Sequence, residues 1–252
     1  MIVLLNKLYK KIVRKILFKI GILEKPQIIL DNFFYKKKNK FCIQIGANDG
    51  VMGDPIRKYL KNKSNLSAIL IEPLDYYYKN LISLYKNRKE IKIMRNLVSN
   101  ERVLKKIYYI DPKIVSLMNG DGPHNNWAHG QGSFSKSFII NEIQKNSFRG
   151  INYKKNINKF IQSIKYKKVK SIKISDIKIS NNTQNLLVID VQGFEYEVLK
   201  SINFKSQKFD LIYFEDEGTY QIKLKKIIKL LKENNYKLIG DDGINFVYAL
   251  KN

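Results

Sequence analysis

The stretch Phe41-Cys42-Ile43-Gln44-Ile45-Gly46-Ala47-Asn48-Asp49-Gly50 does most to limit what this chain can fold into, because an apolar strand runs straight into a glycine-rich turn. Glycine adopts torsions that a β-carbon forbids and lets the backbone come close to a ligand. A strand ending in such a turn is therefore where an open parallel sheet receives a nucleotide cofactor. A second apolar run, Ala68-Ile69-Leu70-Ile71, delivers Glu72 and is stopped by Pro73. A carboxylate at the carboxyl end of that strand can accept hydrogen bonds from both hydroxyls of a ribose. The pyrophosphate pattern Gly-x-Gly-x-x-Gly is absent, since Ala47, Asn48 and Asp49 separate the glycines and Gly53 is the next one. Asp49 beside the turn suits a cofactor with a cationic sulfonium and an amino acid better than one with phosphates. Taken alone, Gly46 to Gly50 also reads as an ordinary strand-to-helix turn; the spacing to Glu72 favours the cofactor.

Beyond this point strands and helices alternate, which predicts an α/β fold: a mostly parallel Rossmann-like sheet covered on both faces. Helices are expected over 55–62, 75–87, 196–200 and 222–235, and strands over 91–94, 106–110, 186–189 and 209–214. Residues 236–239 and 245–250 read as a terminal antiparallel hairpin. Tyr76, Tyr77 and Tyr78 open a helix and read as packing residues. Ahead of the sheet, Leu5, Leu8, Ile12, Ile16 and Ile20 recur at helical spacing among lysines, so residues 2–22 are expected to form an amphipathic helix. Basic residues interrupt every apolar run there, which argues against both a signal peptide and a transmembrane span. Such a helix would either lie on an anionic membrane surface or cover the domain or a dimer interface. Lys36-Lys37-Lys38-Asn39-Lys40 then reads as a polar link. The expected division is 1–39, helix and linker, and 40–252, a single domain with an elaboration at about 111–170.

The chain has 252 residues and a formal charge of +25. Clustered Lys and Arg would suit a phosphate backbone, and Lys165, Lys167, Lys168, Lys170 and Lys173 form one such run. Lysine is nevertheless spread throughout with Ile and Asn. Asp210, Glu215, Asp216, Glu217, Asp241 and Asp242 make the carboxyl-terminal part acidic, so nucleic acid is not the favoured partner. Cys42 is the only cysteine, lies within the first strand, and reads as a buried structural thiol in a reducing, cytoplasmic compartment. Residues 119–133 collect turn formers together with Trp127, His124 and His129, and read as a substrate-facing loop.

Three segments, in order, carry a resemblance: Ile45-Gly46-Ala47-Asn48-Asp49-Gly50, Ile71-Glu72-Pro73, and Leu187-Val188-Ile189-Asp190-Val191-Gln192-Gly193-Phe194-Glu195-Tyr196-Glu197-Val198-Leu199-Lys200. The sequence resembles the FkbM-type branch of S-adenosylmethionine-dependent methyltransferases over about residues 40–250, and departs from it over 111–170. The resemblance implies S-adenosylmethionine as cofactor, with Gly46, Ala47, Asn48, Gly50, Glu72 and Pro73 around it and Val98 and Ser99 near the adenine. Asp190 ends a strand at the edge where open sheets place ligands. His129, His124, Asp190 and Glu195 are the candidates to take a proton from a hydroxyl acceptor, histidine because its ordinary pKa of about 6.5 suits neutral pH. Asp190, Glu195 and Glu215 could offer oxygens to a divalent cation, which the reading does not require. By analogy the acceptor is a sugar hydroxyl of a bacterial surface glycan, capsule or lipooligosaccharide, or its nucleotide- or lipid-linked precursor. The alternatives are another small acceptor, a nucleic-acid-binding or -modifying protein using the lysines, and a catalytically silent scaffold. The oligomeric state stays open, and residues 2–22 allow peripheral contact with the inner membrane face.

Overall fold

A computed structural model describes residues 13–62, 65–115, 128, 130–146, 151–180, 182–216 and 221–251. Its strands are β1 (Lys40–Ile45), β2 (Leu66–Ile71), β3 (Ile91–Met94), β4 (Leu97–Val98), β5 (Leu104–Ile110), β6 (Gly132–Ser133) and β7 (Ile164–Ile172). They continue with β8 (Gln184–Ile189), β9 (Leu211–Glu215), β10 (Tyr236–Asp241) and β11 (Asn245–Leu250). Seven form the main sheet in the order β3-β2-β1-β8-β9-β11-β10. β1 to β3, β8 and β9 pair in parallel, and β11 is antiparallel to both its neighbours. The central strands β1 and β8 read Lys-Phe-Cys-Ile-Gln-Ile and Gln-Asn-Leu-Leu-Val-Ile and are buried almost throughout, as parallel strands covered on both faces must be.

Among the described residues from 26 onward the α-helices are α1 (Pro26–Tyr35), α2 (Arg57–Asn62), α3 (Asp75–Tyr85), α4 (Pro112–Val115), α5 (Lys136–Lys145), α6 (Ile151–Gln162), α7 (Glu195–Lys200) and α8 (Gln221–Glu233). α1, α2 and α3 cover one face, where Leu30, Phe33, Leu60 and Leu81 meet Cys42 and Val188. α7 and α8 cover the other, where Val198, Leu199, Ile227 and Leu231 meet Ile43, Ile189 and Phe214. The sequence reading has no element over 26–35. The helix there opens on proline, tolerated in a first turn, and buries Ile29, Leu30, Phe33 and Phe34 at helical spacing. Lys40, expected to end the polar link, instead begins β1. It is buried, and its Nζ donates to Gln184 Oε1 at 2.7 Å and to the carbonyls of Lys36 and Lys38.

The chain between β3 and β8 builds a second sheet, β4-β7-β5-β6. The run of lysines from 165 to 170 lies on β7, paired antiparallel with β5 from Leu104↔Lys170 to Ile110↔Ile164. Val169 and Ser171 point inward while Lys168 and Lys170 are exposed on the other side of the pleat; Lys165 and Lys167, on the side of Val169, are paired with Asp111 and Asp75, so this charge is spread over both sides of a strand and partly neutralised. Behind it α4, α5 and α6 enclose a small core around Ile110, Ile139, Ile143 and Phe160. Of the expected amphipathic helix, residues 13–19 are helical and 1–12 lie outside the described residues.

Candidate active site

Register sets the site. Ile45 pairs with Ile71 on one side and with Ile189 on the other, so the next residues, Gly46, Glu72 and Asp190, emerge side by side at the carboxyl edge of the sheet. Gly46 has φ +76°, and a β-carbon on it would lie 1.7 Å from the Asp190 carbonyl oxygen. Only glycine fits this crossing, which brings the turns after β1 and β8 into contact.

The Glu72 carboxylate is buried and fixes the turn after β1. Its Oε2 accepts from the Asn48 amide at 3.0 Å, and its Oε1 from the Leu74 amide at 2.9 Å. Burial pushes its pKa up to about 7, against the two amides, with the Asp190 and Asp49 carboxylates adding to the rise. Each oxygen keeps a second lone pair for a donor.

These residues open onto a cavity of about 320 Å³, floored by Gly46, Asn48, Glu72 and Asp190 and walled by Leu97, Val98, Ile107 and Phe134. The inserted sheet supplies the far side. Gly130 has φ +77°, and a β-carbon there would lie 2.2 Å from Asn48 Nδ2. The Gly130 amide donates to the Tyr77 hydroxyl at 2.8 Å. Gln131 Nε2 reaches Gln192 Oε1 at 3.5 Å, and Gln192 Nε2 donates to Asp190 Oδ1 at 3.1 Å. Residues 130–132 thus form a strap held by α3, the β1 turn and the β8 turn. Beside it the Phe134 and Phe194 rings lie 4.2 Å apart, with Lys105 Nζ 5.2 Å from the Phe194 centroid.

Of the residues expected at the site, Gly46, Asn48, Glu72, Pro73, Val98, Asp190 and Glu215 line the cavity. Ala47, Gly50, Ser99 and Glu195 are not in its wall. Ala47 is buried in the core cluster beneath the turn, and Gly50 packs against Leu81 and Tyr85. The Ser99 hydroxyl is spent on the Glu101 carbonyl at 2.7 Å. Glu195 opens α7 and turns its Oε1 to the Gly193 amide at 2.9 Å; burial pushes its pKa up to about 7, with Asp190 and Asp216 contributing. It therefore shapes the β8 turn rather than facing a ligand. Asp190, Glu195 and Glu215 do not converge: among the described residues no group of three His, Cys, Asp or Glu side chains could hold a metal ion. His124 and His129 lie outside the described residues. Gln131, Gly132, Phe134 and Phe194 line the cavity and are missing from the expected set. The glycines of the 119–133 loop signalled the first two, whereas the phenylalanines meet only through the tertiary fold.

The strand order, the glycine crossing and the buried glutamate define a nucleotide-cofactor site of the class I methyltransferase kind. The Methyltransferase FkbM domain matches residues 44–238; the chain belongs to this family of S-adenosylmethionine-dependent methyltransferases. The residues present fit that cofactor: Glu72 offers acceptors to ribose hydroxyls, and Leu97 and Val98 an apolar wall for a base. Asn48 Oδ1, buried in the cavity floor and without a partner, offers an acceptor for an ammonium. Bound there, S-adenosylmethionine supplies an electrophilic methyl group.

No curated protein matches this sequence. Among solved structures it is similar to a precorrin-6y C5,15-methyltransferase from Geobacter metallireducens, at 9% identity over 89% of this chain and 87% of that one, TM-score 0.42. It is also similar to Aeropyrum pernix fibrillarin crystallised with S-adenosyl-L-methionine, at 10% identity over 91% and 70%, TM-score 0.43. Likeness at this level adds nothing to what strand order and the family establish.

Proposed function

We propose that the protein transfers a methyl group from S-adenosylmethionine to a hydroxyl oxygen of a sugar, in a surface glycan or in its nucleotide- or lipid-linked precursor. The supporting observation is the chemistry of the acceptor side. Gln131 and Gln192, hydrogen-bonded in series to Asp190, stand beside the Phe134–Phe194 pair. Amides and a carboxylate suit a dense array of hydroxyls, each both donor and acceptor, and aromatic faces suit the C–H side of a sugar ring. In this reading Asp190 receives the hydroxyl proton, and the hydrogen bond from Gln192 supports it by orienting the carboxylate. The strap keeps water from the donor side, and holding donor and acceptor in line supplies much of the rate.

The test incubates the protein and methyl-labelled cofactor with nucleotide sugars, a lipid-linked sugar, free oligosaccharides, transfer RNA and a protein mixture. Label in an alkali-stable methyl ether on a sugar is the expected result. Label confined to RNA or protein would overturn the reading. With a sugar acceptor in hand, Asp190→Asn is expected to lower kcat by roughly 10²-fold or more.

A further inference from the structure

The helix over 13–19 is held to the domain on one side only. Val13, Leu17 and Phe18 are half-buried, and Arg14 Nε lies 3.0 Å from Asp241 Oδ1 at the end of β10. The opposite side carries Lys15, Ile16, Lys19 and Ile20, with Ile22 just beyond. Ile16, Ile20 and Ile22 are 53%, 59% and 58% exposed, and Ile28 at the start of α1 is 46% exposed. Residues 13–39 hold seven basic side chains and two acidic ones. Of the acidic pair, Asp31 is taken by Lys58 and Tyr59. Lys15, Lys19 and Lys25 have no acidic partner among the described residues.

We propose that this face, built by Lys15, Ile16, Lys19, Ile20, Ile22 and Lys25, docks on an anionic lipid surface. Isoleucines entering the boundary between headgroups and acyl chains leave water, while neighbouring lysines extend their stems to the lipid phosphates. Basic side chains close to an anionic leaflet add to this. The same face fits a second copy of the chain poorly. A two-fold contact sets lysine against lysine, and lysine is depleted at the centres of protein interfaces. Nor does a nucleic-acid backbone give exposed isoleucine anything to bury against. No helix among the described residues is long and apolar enough to cross a membrane; the exposed isoleucines lie on one side of the helix, which suits a contact along the surface. The proposal is independent of which acceptor is methylated.

The experiment sediments the full chain with vesicles of phosphatidylcholine alone and of phosphatidylcholine with phosphatidylglycerol, at low and high salt. Pelleting with the anionic vesicles only, weakened by salt, is expected. The double variant Ile16→Asp, Ile20→Asp should cut the bound fraction at least about tenfold and keep wild-type melting and S-adenosylhomocysteine binding. No pelleting, equal pelleting with phosphatidylcholine alone, or a variant that pellets like wild type would each overturn the proposal. A solution dimer abolished by the same variant would assign the face to a second copy and overturn it as well.

Discussion

At the scale of single residues, two buried glutamates carry opposite messages. Glu72 lines the cavity and Glu195 does not, yet burial raises both to about 7 from an ordinary 4.5. Between those values the folded chain keeps a proton that the unfolded chain has lost. Each therefore contributes stability that is fully present below about 4.5 and is lost as pH rises through about 7, on the order of 3 kcal/mol per group. Glu195→Gln keeps an acceptor for the Gly193 amide and removes the ionisation. We expect its melting temperature to exceed wild type by several degrees at pH about 8, with the gain vanishing near pH about 4. Thermal melts across that range check it, and a pH-independent difference would sink the assignment. Gly46, Glu72 and Asp190 were readable in the sequence because each directly follows an apolar strand, and strand ends in a parallel sheet fall at one level. Phe134 and Phe194 were not, because sixty residues of separate topology bring them together.

At the scale of elements, the strap over 130–132 depends on helix α3. The Tyr77 hydroxyl, buried and pushed up to about 12 by that burial, stays protonated through the working range while accepting from the Gly130 amide. Tyr77→Phe leaves that amide without its acceptor, worth about 1–3 kcal/mol. S-adenosylhomocysteine should then dissociate roughly tenfold faster, with kcat for a good acceptor changed far less than KM for the donor; stopped-flow release reads the first effect and steady-state kinetics the second. An unchanged off-rate would show that the strap closes without its latch. The same element explains where sequence reading failed. β3 was legible at its observed limits as a short apolar run broken by one lysine, but β7 was masked by lysines on both sides of its pleat. α1 was masked by lying between a basic helix and a lysine link, although its buried positions follow helical spacing.

At the scale of the whole molecule, the amino-terminal segment divides at Leu23, which is buried at the start of the packed region. Among the described residues, removing 1–22 gives up the ion pair of Arg14 with Asp241 and the packing of the half-buried Val13, Leu17 and Phe18 but no fully buried side chain of the main core, and should leave the melting temperature within several degrees of wild type. Removing 1–39 strips Leu30, Phe33 and Phe34 from the main core, each worth about 3 kcal/mol or more, and should leave an aggregating chain. Expression and calorimetry of the two truncations decide it, and a stable shorter one would refute the role given to α1. The contact of Gly46 with the Asp190 carbonyl has a different reach. With no room for one carbon between the two turns, donor end and transfer point form a single casting that tolerates little redesign. The inserted sheet meets the cavity along 130–134 and through Leu97, Val98 and Ile107. A lineage seeking a new acceptor would find its freedom there, in a replaceable attachment bolted to an unalterable engine.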